Sequence, residues 1–312
     1  MLEKSFAAGC NLLFISALLG GCAAGTSVKM KQDVSANVTK KVESKYTGPK
    51  RRVGVVDFEN KSAYGQSRLG QAASDILITE LVKTGKFIVV ERDKVNKILE
   101  EQKLGLTGAI DSNTAAQMGR ILGLNAIITG AISNFGVRTT GSDYLIAQSK
   151  RQEATCTVDI RAVDAETGQI LLADSGKGVS KVSSGGFLGM GTQGSYAESI
   201  EGDSLRAAIS QLIENITSQI NKKPWSCRVA LVSQGKIYLN AGKESGLETG
   251  QKLKVFSLGA EIKDPESGIV LGKEEEEIGQ LQIASFFGEN GSIGKTIRGR
   301  SPQKGDLCRL VE

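Results

Sequence analysis

A two-residue alternation in the middle of the 312-residue chain limits its folding more than any other feature. From 154 to 162 every second residue is small or apolar (Ala154, Cys156, Val158, Ile160, Ala162), and Glu153, Thr155, Thr157, Asp159 and Arg161 stand between and before them. Successive side chains of an extended strand point to opposite faces, so the segment reads as a strand with one apolar and one charged face. Residues 131–139 show a weaker alternation, with Ala131, Ser133, Phe135, Val137 and Thr139 on one side and Asn134 and Arg138 on the other. Turn formers at Gly141, Ser142 and Asp143 separate the two. A long amphipathic hairpin is expected. Each strand reaches the roughly 9 to 11 residues that a tilted strand uses to cross a bilayer. Alternation alone fits a half-buried hairpin of a soluble sheet equally well.

The segments before it alternate strand and helix. Residues 52–58 (RVGVVDF) form a β-branched run, and 67–82 places Leu69, Ala72, Ala73, Ile76, Leu77, Leu81 and Val82 at helical spacing before Gly85. A strand at 87–90, helices at 92–103 and 112–122, and a strand at 126–132 complete an α/β domain, with Gly123 as the left-handed exit of the second helix. Residues 164–168 (DAETG) form a tight turn with Gly168 at positive φ. A second hairpin is expected over 176–198. Gly185, Gly186, Gly189, Gly191 and Gly194 make a surface loop its competitor, because glycine weakens strands and their register. Helical spacing returns over 205–220 and stops before Pro224.

Residues 224–312 read as a separate all-β module, with strands at 228–232, 236–239, 252–256 and 279–286 between glycine turns. Cys227 and Cys308 lie at its two ends, where they either form a disulfide between the first and last strands or remain two buried thiols. The acidic run 274–277 is expected on a solvated edge or loop, without the spacing of a Ca²⁺ or Mg²⁺ site.

The N-terminus addresses the chain to the envelope. Lys4, an apolar run at 12–19, and Gly20-Gly21 before Cys22 make a secretory signal over 1–21 with a lipoprotein cleavage site, so Cys22 becomes the lipidated first residue of the mature protein. The run is far short of the roughly 20 residues of a spanning helix. Ala23, where an aspartate would mark inner-membrane retention, directs the anchor to the outer membrane. Residues 22–51 carry Lys29, Lys31, Lys40, Lys41, Lys45 and Lys50 and read as a basic tether, either solvated or lying on anionic headgroups. Three cysteines remain beyond Cys10 and Cys22, and the chain has no histidine and no Cys-x-x-Cys spacing. No catalytic residue, metal site or cofactor is therefore expected, and the chain does not read as an enzyme. A net charge of +5 and a pI near 8.8 do not demand nucleic acid. There is no Gly-x-x-x-x-Gly-Lys-Ser/Thr loop for ATP.

The series RVGVVDFENKSAYG, LITELVKTGKFIVVERDKVNKILEEQ, LGLNAIITGAI and VDAETGQIL, behind a lipobox and a basic tether, resembles the curli secretion channel (CsgG-like) family of outer-membrane lipoproteins over about 52–220. The tail from IYLNAGKESGLETGQKLKVF through GKTIRGR is similar to the small C-terminal domain of flagellar assembly protein T. The first resemblance implies an α+β chain: an α/β periplasmic domain (52–222), two β-hairpins at about 130–163 and 170–200 given to an oligomeric transmembrane β-barrel, and a small C-terminal all-β domain. It implies a homo-oligomeric ring, a nonamer, in outer-membrane lipid, passing an unfolded fibre subunit with a periplasmic accessory factor. Ala154, Cys156, Val158 and Ile160 would then face lipid, with Asp159 and Arg161 toward the lumen. Tyr64, with Asn60 and Gln66, would narrow the channel. The alternative is a lipid-tethered periplasmic protein that binds or anchors an appendage or an envelope enzyme, without a pore.

Overall fold

The computed structural model describes residues 48–90, 92–101, 114, 118–119, 121–144, 147–187, 197–266 and 270–311. The signal segment, Cys22, the tether up to residue 47 and residues 188–196 lie outside the described residues. The chain is α+β, with two sheets.

The first sheet has the order β3-β1-β4-β5-β6. β1 (Arg51–Val55) runs parallel to β3 (Phe87–Val90) and to β4 (Ala126–Tyr144), and β2 (Glu59–Asn60) adds a short parallel pairing to β4. β4, β5 (Ala147–Asp164) and β6 (Ile170–Phe187) form an antiparallel meander. Two helices cover one face: α1 (Gln66–Lys83), which connects β2 to β3, and α3 (Ala197–Asn221). The largest core lies beneath them. It joins Leu69, Leu77 and Leu81 of α1 and Leu205, Ile209, Leu212 and Ile216 of α3 to Val53, Val55, Ile128, Val158 and Ile160 of the strands. A smaller cluster, with Val56, Ile127 and Val163 against Val95 of α2 (Arg92–Glu101) and Met118, covers the other face at one end only. Beyond it that face is polar, with Ser133, Asn134, Arg138, Arg161, Lys177 and Lys181 exposed.

The hairpin expectations need two corrections. Gly141, Ser142 and Asp143 are not a turn; they pair with Lys150, Ser149 and Gln148, and the ladder continues to Tyr144 opposite Ala147. A bulge between Ile132 and Asn134 shifts the phase of β4, so that Ile128 and Ile132 before it and Phe135 and Val137 after it turn to the same face. The weak alternation over 131–139 is the trace of that inserted residue. Nor is there a second hairpin within the described part of 170–200. Residues 170–187 are one strand, paired with β5 from Val163 opposite Ile170 to Ala147 opposite Phe187, and α3 begins at Ala197. Two glycines of β6 are contact points for the helix: a Cβ on Gly178 would lie 1.8 Å from the Ser204 carbonyl oxygen, and one on Gly176 2.2 Å from that of Ala208.

The second sheet closes into a six-stranded barrel, in the order β10-β11-β8-β7-β12-β9. Its strands are β7 (Ser226–Ser233), β8 (Lys236–Leu239), β9 (Lys252–Lys263), β10 (Val270–Phe287), β11 (Gly291–Gly299) and β12 (Leu307–Leu310). Trp225, Val229, Leu239, Leu253, Val255, Leu281 and Ile283 fill it. The acidic run stands exposed on β10 and is not a loop: Glu275 accepts two hydrogen bonds from Arg309 (2.7 and 2.8 Å), Glu276 one from Arg300 (2.7 Å), and Glu277 pairs with Lys254 (3.2 Å). Cations of β9, of β12 one strand further on, and of the residue after β11 help three of the four consecutive glutamates sit in a sheet.

Candidate functional site

A cluster of paired charged side chains lies on the seam between sheet and barrel, and the DAETG turn builds it. Asp164, 1% exposed, accepts the N–H groups of Glu166 and Thr167 (2.8 Å each) and the Thr167 hydroxyl (3.2 Å) on one oxygen. That is the side-chain turn an aspartate makes two and three residues ahead of itself. Gly168 follows at φ 74°, which a side chain rarely adopts. The other Asp164 oxygen holds the Lys223 ammonium, from the segment leaving α3. Two residues on, Glu166 accepts from Arg228 of β7 at 2.6 Å, so one turn grips both the end of the helix and the barrel.

Arg51 works from the other side. Only 6% exposed, it donates to Asn221 Oδ1 (2.9 Å) and to the carbonyls of Lys223 and Pro224 (3.4 Å for the latter). Its neighbour Lys50 donates its N–H to the Ser245 carbonyl (2.9 Å) and accepts the Trp225 indole N–H (3.0 Å). A cleft of about 90 Å³ remains, lined by Arg52, Asn125, Asn240 and Lys273 among others. Burial lowers the pKa of the Arg52 guanidinium, against the opposing effect of Glu244. Burial by itself would raise the Asp164 carboxyl, but Lys223 and the Thr167 and Glu166 amides outweigh it and hold the group below the usual aspartate value. The arrangement is a clamp of paired charges. It has no nucleophile set against a base, and among the described residues no His, Cys, Asp and Glu side chains gather as a metal site.

The residues singled out from sequence lie elsewhere. The Tyr64 ring stacks on Phe135 (centroids 4.9 Å apart), and its hydroxyl donates to Glu201 Oε1 at 2.6 Å, while Arg68 holds the second Glu201 oxygen at 3.0 Å. That hydrogen bond, with burial, raises the Tyr64 pKa. Asn60 donates to the carbonyls of Tyr64 (2.5 Å) and Gln66 (2.6 Å) and so shapes the loop. Only Gln66, at φ 49°, has an exposed side chain. In this chain the constriction set is therefore a self-satisfied loop: Tyr64 and Asn60 turn to their own chain.

The lipid-facing assignment is corrected. Ala154, Cys156, Val158 and Ile160 are at most 1% exposed and lie under α3, where the Cys156 thiol donates to the Ser204 carbonyl at 3.1 Å. Strand periodicity shows that a face is covered and leaves open by what. Cys227 and Cys308 are buried free thiols on directly opposed positions of β7 and β12.

Sequence reasoning missed Glu201, a buried acid on a helical stretch too polar to show a stripe, and the pairs Asp164 with Lys223 and Glu166 with Arg228. The turn itself was readable in DAETG; its partners, about 60 residues away, were not.

Residues 34–249, more than half of the chain, match the family described as curli production assembly/transport component CsgG. The chain belongs to the CsgG family. The CsgG match thus spans the whole first sheet, α1 to α3 and the seam, and ends inside the barrel before β9. A protein of Neisseria meningitidis serogroup B named as a lipoprotein, NMB1126/NMB1164, is 25% identical over 217 residues, 66% of this chain and 91% of its own. Among solved structures, the lipoprotein GNA1162 of Neisseria meningitidis aligns with a TM-score of 0.32 at 16% identity, covering 55% of this chain and 99% of that one. The PelC dodecamer of Paraburkholderia phytofirmans aligns with 0.29 at 14% identity, covering 54% and 89%. Membership of a lipoprotein and transport family agrees with a membrane-anchored envelope location.

Proposed function

We propose that this CsgG-family chain is an outer-membrane-anchored lipoprotein that binds and positions other envelope components from the periplasmic side, without a pore of its own. The observation that supports this most is the direction of the meander. Over the part whose burial is described, its apolar face is covered by α3 of the same chain and its open face is largely polar, so that part presents no apolar band to lipid. Exposing that band would strip α3 from the sheet and uncover Leu205, Ile209, Leu212 and Ile216. At roughly 1.5–3 kcal/mol for each large apolar side chain, this would cost on the order of 10 kcal/mol. Among the described residues no helix is long and apolar enough to cross a membrane; on this reading a lipid on Cys22 holds the protein to the bilayer. The assembly half of the family description suits such a role.

One observation favours the second reading, a nonameric secretion ring for an unfolded fibre subunit served by an accessory factor. Helix α3 extends seven residues before Ser204, about 10 Å at 1.5 Å per residue. On β6 that is only about three residues past Gly178, at roughly 3.3 Å each. The ends of β4, β5 and β6 therefore run on beyond the helix, and, with β5 paired along both flanks, the outer edges of β4 and β6 are the ones that could pair with a neighbour.

Planar-bilayer recordings of the purified, acylated protein, with Val158→Asp compared in lipid-free buffer, separate the two readings. The wild type is expected to be silent, and the variant to lose about 3 kcal/mol or more of stability with no lipid present, because its carboxylate is forced under α3. Discrete large conductances, or a variant that folds normally in buffer and fails only at insertion, would overturn the proposal.

A further inference from the structure

The three cysteines left after export and acylation are an odd set, and the structure divides them. Cys156 is in the first sheet, under α3, with its thiol on the Ser204 carbonyl and its pKa raised by burial. Cys227 and Cys308 are in the barrel, on strands that meet only through Leu307, Cys308 and Arg309 opposite Arg228, Cys227 and Ser226. This three-pair ladder is where the first and last strands of the barrel join. The two cysteines are Cα partners within it, and both are buried in the barrel core. Directly opposed residues of an antiparallel pair have Cα atoms about 4.5–5.5 Å apart, inside the 4.4–6.8 Å that a disulfide spans.

We propose that Cys227 and Cys308 become a disulfide in the exported protein, closing the barrel covalently where its two chain ends meet. This rests on the reading of the N-terminus as an export signal, since thiols in the cytoplasm stay reduced. The oxidant is a disulfide carrier of the exchange type. One cysteine attacks a carrier sulfur and releases the first carrier thiol. The second cysteine then displaces the other carrier sulfur, so that one S–S bond is broken, one is made, and the two protons leave on the two carrier thiols. The thiolate is the attacking form. In the folded barrel the hydrogen bond with Cys227 and then burial hold the Cys308 thiol well above its ordinary range, so exchange belongs to the stage before the barrel closes. Cys156 is on another sheet, away from this ladder, and stays a thiol.

The test is thiol counting on the full chain extracted from cell membranes directly into denaturant containing N-ethylmaleimide, which reaches buried thiols, followed by reduction and a second, heavier maleimide, read by intact mass and peptide mapping. One thiol blocked at first, at Cys156, with Cys227 and Cys308 labelled only after reduction, is the expected result. Three thiols blocked at first, or a bridge that includes Cys156, overturns the proposal. If three are blocked, refolding a fully reduced, unalkylated sample of the protein in a glutathione buffer locates the error: a 227–308 bond formed there faults the export reading, and no bond faults the geometry.

Discussion

At Asp164 a single carboxylate closes the turn and neutralises the lysine that ends the α3 segment. Its folded pKa is below the ordinary value, so the unfolded chain, titrating near about 3.9, holds that proton more tightly. The stability it contributes is fully present above about pH 4 and drains away as the pH falls through the lower folded value. Asp164→Asn keeps the shape and removes the charge, leaving Lys223 with a neutral partner. A loss of about 2–3 kcal/mol is expected at neutral pH, shrinking toward pH 2 as the native carboxylate is itself protonated. Denaturant melts of both proteins at pH 7 and pH 2.5 check this; an equal loss at both values would mean that the charge is irrelevant.

Between elements, α3 and β6 approach so closely at Gly176 and Gly178 that backbone meets backbone. Gly178→Ala puts a methyl 1.8 Å from a helix carbonyl that cannot swing aside as a side chain would. A loss of about 3 kcal/mol is expected, at the upper end of overpacking effects. Gly136→Ala on β4 meets nothing within 4 Å and is the control, expected to stay within about 0.5 kcal/mol. Thermal melts of the two variants give the comparison. The same glycines show how far the sequence could be read. The alternation of 154–162 gave the strand and its buried face, and the helical spacing of 67–82 and 205–220 gave α1 and most of α3, because burial on one face imprints a period. A glycine imprints none: the same letter marks a turn at Gly168 and a helix contact at Gly178. β11 and β12 left too little pattern, one being glycine-rich and the other four residues long. The seam depends on contacts between segments remote in sequence, for which a single chain offers no periodicity at all.

For the molecule as a whole, the relative placement of sheet and barrel depends on the few residues that cross the seam. Arg51→Ala removes donors to Asn221, Lys223 and Pro224 at once, and with them the fixing of the 222–225 connection. At about 1 kcal/mol for each hydrogen bond, local opening should become at least tenfold more frequent without global unfolding. Limited proteolysis is expected to cut the variant near 222–225 at least tenfold faster than wild type, leaving a sheet fragment and a barrel fragment; equal rates would place the hinge elsewhere. The described body begins at the same seam. Gly48 and Pro49 lead directly to Lys50, gripped between Ser245 and the Trp225 indole, and then to β1, bonded on both sides to β3 and β4. A tug on a lipid at Cys22 would therefore reach both domains at one grip. It would then run along the axis of β1, where parallel ladders on both flanks must shear together instead of unzipping bond by bond, which is the loading direction in which a sheet is mechanically strongest.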